Sequence, residues 1–253
     1  MLPILYEDDA LFLINKPSGI TVNRSETTVG QETVQDFVEA YLQKELSHPI
    51  STTEGTEDEE LSSDFYLRSG IVHRLDKETS GILMVAKNEQ VFLALQLEFK
   101  ERRVHKTYRA LAHGKITPMI GEVNVPVGRL PWNRRQFGVV AGGRDSLTKY
   151  SVISYFRTND KRKELVTFVE LNPLTGRTHQ IRVHLQYLGY PIFSDFLYAG
   201  RKTQREDRKL LGRVFLHAAG ISFVHPVKNK RVEFEAPLPE ELKHVMDHLV
   251  LVI

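Results

Sequence analysis

"GIVHRLDKETSG", residues 70–81, crowds His73, Arg74, Asp76, Lys77 and Glu78 around a single leucine, Leu75. Thr79, Ser80 and Gly81 follow, and then an uninterrupted apolar run, "ILMVA". A short apolar run bounded by turn residues has the pattern of a buried strand. The charged group therefore sits at the mouth of that strand, with Asp76 two residues after Arg74. An aspartate in a turn before a strand is a common structural device, so the pair alone does not establish chemistry. "HRLD" shares the His-Arg-Asp order of a protein kinase catalytic loop. The context excludes that reading: there is no asparagine at the required spacing, no Gly-x-Gly-x-x-Gly loop and no Asp-Phe-Gly.

Working outward, "PILY" and "LFLIN" read as short strands around the acidic turn "EDD", and "KPSG" closes the second one. Val34–Leu46 has helical spacing through Val34, Phe37, Val38, Tyr41 and Leu42. Downstream, "EQVFLALQLEFKERR" reads as a helix and "KTYRALAHG" as a strand. Residues 121–143, rich in Gly, Pro and Arg, read as irregular loop with short strands. "LTKYSVISYF" and "LVTFVELNP" form a strand pair. "TGRTHQIRVHLQYLG" turns into a helix, for which Thr178 is the expected N-cap. The last strands, "VFLHAAGISFVHP" and "KRVEFEAP", precede a terminal helix in "LPEELKHVMDHLV". Strands and helices mix without a regular βαβ alternation, which favours α+β. No repeat or linker divides the chain, so one domain over 1–253 is expected, with a mobile acidic loop at 47–66.

Bulk properties narrow the function. The chain has 253 residues, 41% hydrophobic and 26% charged, ordinary values for a soluble globular protein. No apolar run approaches the roughly 18 residues that span a membrane, and the start shows neither a basic n-region nor a cleavage site. A cytoplasmic location is expected. The absence of cysteine excludes disulfides, thiolate chemistry and Cys-ligated zinc. The net charge of +2 conceals an acidic tract, residues 51–64, with six acids and no Lys or Arg. Outside it, 34 basic residues face 26 acidic ones, an excess that fits a polyanionic partner.

Two further stretches concentrate polar chemistry. In "NPLTGRTHQIRVHL", Arg177, His179, Arg182 and His184 gather at a turn-to-helix junction. The two histidines are five apart and no carboxylates cluster beside them, so a zinc site is not expected. Anion binding and pairing with a buried acid both remain open. In "KERRVHKTYRALAHG", five Lys or Arg within residues 100–109 accompany Tyr108. Cations interleaved with an aromatic ring suit nucleic acid, because the cations hold phosphates while the ring stacks on a base.

Together these stretches resemble the pseudouridine synthases of the RluA type. "HRLDKETSG" (73–81) is similar to the family signature. "INKPSGITV" (14–22), "KTYRALAHG" (106–114), "LNPLTGRTHQIRVHL" (171–185) and "FLHAAGISFVHPV" (215–227) resemble its other motifs, in the family's order. The resemblance implies a mixed, largely antiparallel sheet flanked by helices, no cofactor or metal, and structured rRNA or tRNA as partner. It implies Asp76 as the essential carboxylate, Arg177 as its charge partner and Tyr108 as the ring stacked on the target base. Arg74 would fill the space left by a flipped uridine, and Lys106, His179 and Arg182 would contact substrate. The form without an N-terminal S4 RNA-binding domain is expected. The competing reading is an RNA-binding protein of the same fold without catalysis. Two departures stand out: Ser69 where many relatives carry proline, and Ser194–Asp195 where a Gly-Asp pair is common.

Overall fold

The computed structural model describes residues 1–25, 28–42 and 64–252. Most of the acidic loop expected at 47–66 lies outside the described residues; residues 64–67 form a helical turn. The chain divides into two compact units. One comprises Met1–Val104 with Ile221–Ala236, the other His105–Gly220 with Pro237–Ile253. The backbone passes between them three times, so neither unit is a continuous stretch that a linker could announce in the sequence.

In the first unit, β1 (Ile4–Glu7) and β2 (Leu11–Lys16) form an antiparallel hairpin. Asp8 closes its turn by accepting the amides of Ala10 (2.9 Å) and Leu11 (3.1 Å). β3 (Ser80–Ala86) is the predicted "ILMVA" strand, buried along its whole length. It pairs antiparallel with β2, from Leu11 opposite Ala86 to Lys16 opposite Gly81. α1 covers Val34–Leu42; the remainder of the predicted helix, 43–46, lies outside the described residues. α2 (Glu89–Lys100) starts at Asn88, whose side chain accepts the Val91 amide and so satisfies one orphan donor of the first turn. Leu11, Leu13, Ile82, Met84, Phe92, Leu95 and Phe223 form the core.

In the second unit, β4 (His105–His113) pairs antiparallel with β9 (Leu165–Pro173), placing Tyr108 opposite Leu171. β9 pairs antiparallel with β8 (Leu147–Thr158), the predicted strand pair, with a bulge between Val152 and Ser154. The Gly/Pro/Arg-rich segment is more regular than its composition indicates. It forms β5 (Ile120–Asn124), which pairs with β8, and a separate hairpin of β6 (Val127–Leu130) and β7 (Asn133–Val139). α3 spans Gln180–Tyr187 and α4 spans Arg201–Asp207. β10 (Leu216–Val224) runs from this unit into the first, where β11 (Arg231–Glu235) pairs with it. α5 (Glu240–Asp247) is the predicted terminal helix. It is followed by an unpredicted strand, β12 (Leu249–Val252), which is antiparallel to β8. Ala110, Leu111, Val166, Val169, Ile181, Leu185, Phe193 and Phe215 lie in the core. The class is α+β, as the mix of predicted strands and helices indicated, and the pairing is dominantly antiparallel, as the family resemblance implied.

The expected N-cap is displaced. α3 starts at Gln180, and His179, with φ of 57°, occupies the cap position without a side-chain cap hydrogen bond. Thr178 is not the cap, because the turn before the helix is organised instead by the Gln180 side chain.

Candidate active site

The opening stretch is anchored to β3 before it reaches Asp76. Gly70 has φ of 77°, and a Cβ there would lie 2.2 Å from the Ala86 carbonyl oxygen, so only glycine fits. Val72 donates its amide to Met84 O (3.1 Å), and His73 Nε2 accepts the Met84 amide (3.1 Å). His73 thus supports the strand, with its ring against Phe99. Leu75 is buried, Asp76 half-buried and Arg74 exposed. Burying the leucine between them directs the acid and the arginine away from the core.

Residues of "INKPSG" hold the following turn. Lys16 is fully buried, and its ammonium donates to Pro17 O (2.8 Å), Ile20 O (2.9 Å) and Lys77 O (3.1 Å). Gly19 N–H also reaches Lys77 O (2.8 Å), the Ser18 hydroxyl reaches Glu78 O (2.8 Å), and Thr79 N–H closes back on Asp76 O (3.1 Å). The three carbonyls recover part of the hydration that a buried ammonium gives up. The backbone on the C-terminal side of Asp76 is consequently held from two directions. Sequence reading singled out "INKPSGITV" as a motif and gave Lys16 no role. Nothing in local periodicity signals that a lysine at the end of a strand turns inward.

Ser69, one of the two departures, has φ of 54°, a conformation closed to proline. Its hydroxyl donates to Glu39 (2.6 Å) and accepts from Gln35 Nε2 (3.2 Å), tying the start of the stretch to α1.

In the second unit, Tyr108 lies half-buried on β4. Lys106 precedes it by two, with its ammonium 3.5 Å from Thr175 O. Burial pulls the Lys106 amine down from the usual lysine range to about 8. Arg177 follows Gly176, beside that ammonium, and its Nε donates to Asp145 O (3.2 Å). Lys106 and the turn carrying Arg177 are therefore brought together. His179 Nδ1 lies 2.9 Å from the Tyr198 hydroxyl, and its ring meets Phe137 edge-on.

Arg182 differs from the expectation of substrate contact. Its guanidinium is buried and bidentate on buried Asp195, Nε to Oδ2 at 2.7 Å and Nη2 to Oδ1 at 2.8 Å. Asp195 also accepts the amides of Leu197 (3.0 Å) and Tyr198 (3.2 Å). The pair shapes the segment that meets His179, and the buried fork is not presented to solvent. For Arg182, pairing with a buried acid is the alternative the structure shows. Neighbouring Ser194 has φ of 61°, which a glycine would adopt at no steric cost. Among the described residues, no group of His, Asp and Glu is arranged to hold a metal ion.

The family model for RNA pseudouridylate synthases matches residues 10–187. A "Ribosomal large subunit pseudouridine synthase D" of Neisseria meningitidis serogroup B is 36% identical over 99% of this chain and 62% of its own length. An uncharacterized RNA pseudouridine synthase of Bacillus subtilis is 34% identical over 98% of this chain and 73% of its own length. Among solved structures, "Human RNA Pseudouridylate Synthase Domain Containing 1" superposes with a TM-score of 0.73 at 27% identity, covering 100% of this chain and 89% of that one. The chain belongs to the RNA pseudouridylate synthase family. It spans about three fifths of the Neisseria relative's length.

Proposed function

We propose that this protein isomerises uridines in structured RNA to pseudouridine, with both units forming one catalytic domain. The observation that supports this most directly is the turn at Asp76. The backbone just after half-buried Asp76 is held by Lys16, Ser18 and Gly19 through the carbonyls of Lys77 and Glu78, with exposed Arg74 two residues ahead of the acid. The reaction breaks the C1′–N1 bond, retains uracil and rejoins it through C5. Asp76 would attack C1′ or remove the C2′ proton, as a carboxylate does in glycosyl transfer without hydrolysis. Flipping the uridine out of its stack costs a few kcal/mol, and Arg74 would occupy the vacated space. Tyr108 would stack on the uracil, a contact worth about 1–3 kcal/mol. Arg177 would be the charge partner of Asp76, as the family resemblance implies. Lys106 and His179 would serve the RNA around it. The Neisseria relative is named for the ribosomal large subunit, so ribosomal RNA would be the first substrate to test and transfer RNA the second, and a cytoplasmic location would serve either.

The test is Asp76→Asn in a single-turnover assay on total RNA from cells lacking the gene. The variant is expected to fold and bind RNA while forming no pseudouridine. Wild-type rates from Asp76→Asn would refute the assignment. RNA binding without turnover by the unmodified protein would establish the non-catalytic alternative.

A further inference from the structure

We propose that Gln180 is a positioning residue for Arg177, acting through a buried chain of hydrogen bonds that ends at His184. This rests on the catalytic reading above. Gln180 is buried and makes four side-chain hydrogen bonds. Its Oε1 accepts the Arg177 amide (3.0 Å) and the Thr175 hydroxyl (2.7 Å). Its Nε2 donates to Leu147 O (3.1 Å) and Thr148 Oγ1 (2.9 Å). The Gln180 amide returns to Arg177 O (3.0 Å), so Arg177 is gripped at both its N–H and its carbonyl.

The direction of each bond in this chain is determined. A backbone N–H only donates and a backbone carbonyl only accepts. The Arg177 amide therefore selects Oε1, and the Leu147 carbonyl selects Nε2. Val125 O can only accept, so His184 Nε2 carries the ring proton and donates to it (3.3 Å). In the neutral ring Nδ1 is then an acceptor, and the Thr148 hydroxyl, which accepts from Gln180, donates its own proton there across 2.9 Å. At the other end, Thr175 Oγ1 donates to Gln180 and accepts the Leu147 amide (3.1 Å). A neutral His184 in this tautomer completes the sequence, and burial pulls its pKa down, which favours that form.

The consequence falls on Arg177. Asp145 O, two residues before β8, receives the arginine side chain, and the Gln180 chain fixes its backbone against Leu147 and Thr148 at the start of β8. The guanidinium therefore leaves a braced turn rather than a loose glycine-containing loop. Displacing a catalytic group by about 1 Å can cost on the order of 100-fold in rate.

Gln180→Leu removes all four bonds and Gln180→Glu alters two. In Gln180→Leu, kcat should fall about 10–100-fold, while Kd for RNA changes by less than about twofold, the split expected of a group acting in the reaction rather than in binding. Exchange of the Arg177 amide hydrogen should accelerate at least about tenfold as its acceptor is lost. A protonated Gln180→Glu keeps one donor and one acceptor, whereas its ionised form aims only acceptors at Leu147 O. Burial raises a carboxyl pKa, so this variant should lose kcat as pH rises through a step absent from the wild type. Circular dichroism is used to check the folding of both variants. Wild-type kcat in Gln180→Leu, unchanged Arg177 exchange, or a loss carried wholly by Kd would overturn the proposal. If the wild type forms no pseudouridine, the catalytic reading fails separately, and the exchange measurement still decides whether Gln180 holds Arg177.

Discussion

The ammonium of Lys16 lies 3.1 Å from the carbonyl oxygen of Lys77, the residue immediately after Asp76. These two lysines are sixty-one positions apart, and one is buried to hold the backbone of the other. The turn that presents the carboxylate is thus built partly by the end of a strand from the N-terminal hairpin.

Lys16→Met tests this support. The methionine fills the space, but Pro17 O and Ile20 O lose the ammonium as donor; Lys77 O keeps the Gly19 amide. A hydrogen bond from a charged donor contributes about 1.5–3 kcal/mol, so a loss of about 2–4 kcal/mol is expected in urea unfolding when the ammonium is removed. In the folded fraction, kcat should drop while RNA affinity holds. Unchanged stability would show that the three carbonyls do not need Lys16.

Arg182 and Asp195 define a second prediction. Breaking a buried ion pair from one side costs about 3–5 kcal/mol, because the remaining charge stays desolvated. Arg182→Met should lose that much, and adding Asp195→Asn should restore part of it by removing the stranded charge. RNA affinity of the folded single variant, read by fluorescence anisotropy, should match wild type. A selective loss of affinity at full stability would restore Arg182 as a direct RNA contact.

The pH dependence of Lys106 has a definite sign. Its folded-state pKa of about 8 lies below the usual 10.5. Between those values the unfolded chain holds the proton and the folded chain does not, so Lys106 makes stability rise with pH across that window. Below about 8 both states are charged and the slope vanishes. Relative to Lys106→Met, the wild type should gain stability from pH 8 to 10.5 in denaturant titrations. RNA affinity that depends on the Lys106 charge should fall as pH passes 8. Parallel stability curves for the two proteins would remove the burial argument.

The sequence alone carried the family, the α+β class and the order of the motifs. These are local or additive signals: the run Ile82–Ala86 is apolar enough to declare a buried strand, and "HRLD" and "GRTHQ" are contiguous. It also placed Asp76, Arg74, Tyr108 and Arg177 on their segments. What it did not carry was the fate of the buried polar groups. Lys16, Arg182 and Gln180 look alike in sequence to surface residues, since their types are mostly exposed. Each is inside because a distant partner offsets its desolvation: Lys77 O, Asp195, and the Leu147–Thr148 segment. The same reason displaced Thr178 from the cap of α3, where Gln180 had already satisfied the preceding turn. Strand β12 escaped notice because a short apolar tail declares itself only through pairing with β8. Composition and period report which residues can be buried; only the tertiary structure supplies the partners that decide whether a charge or an amide is.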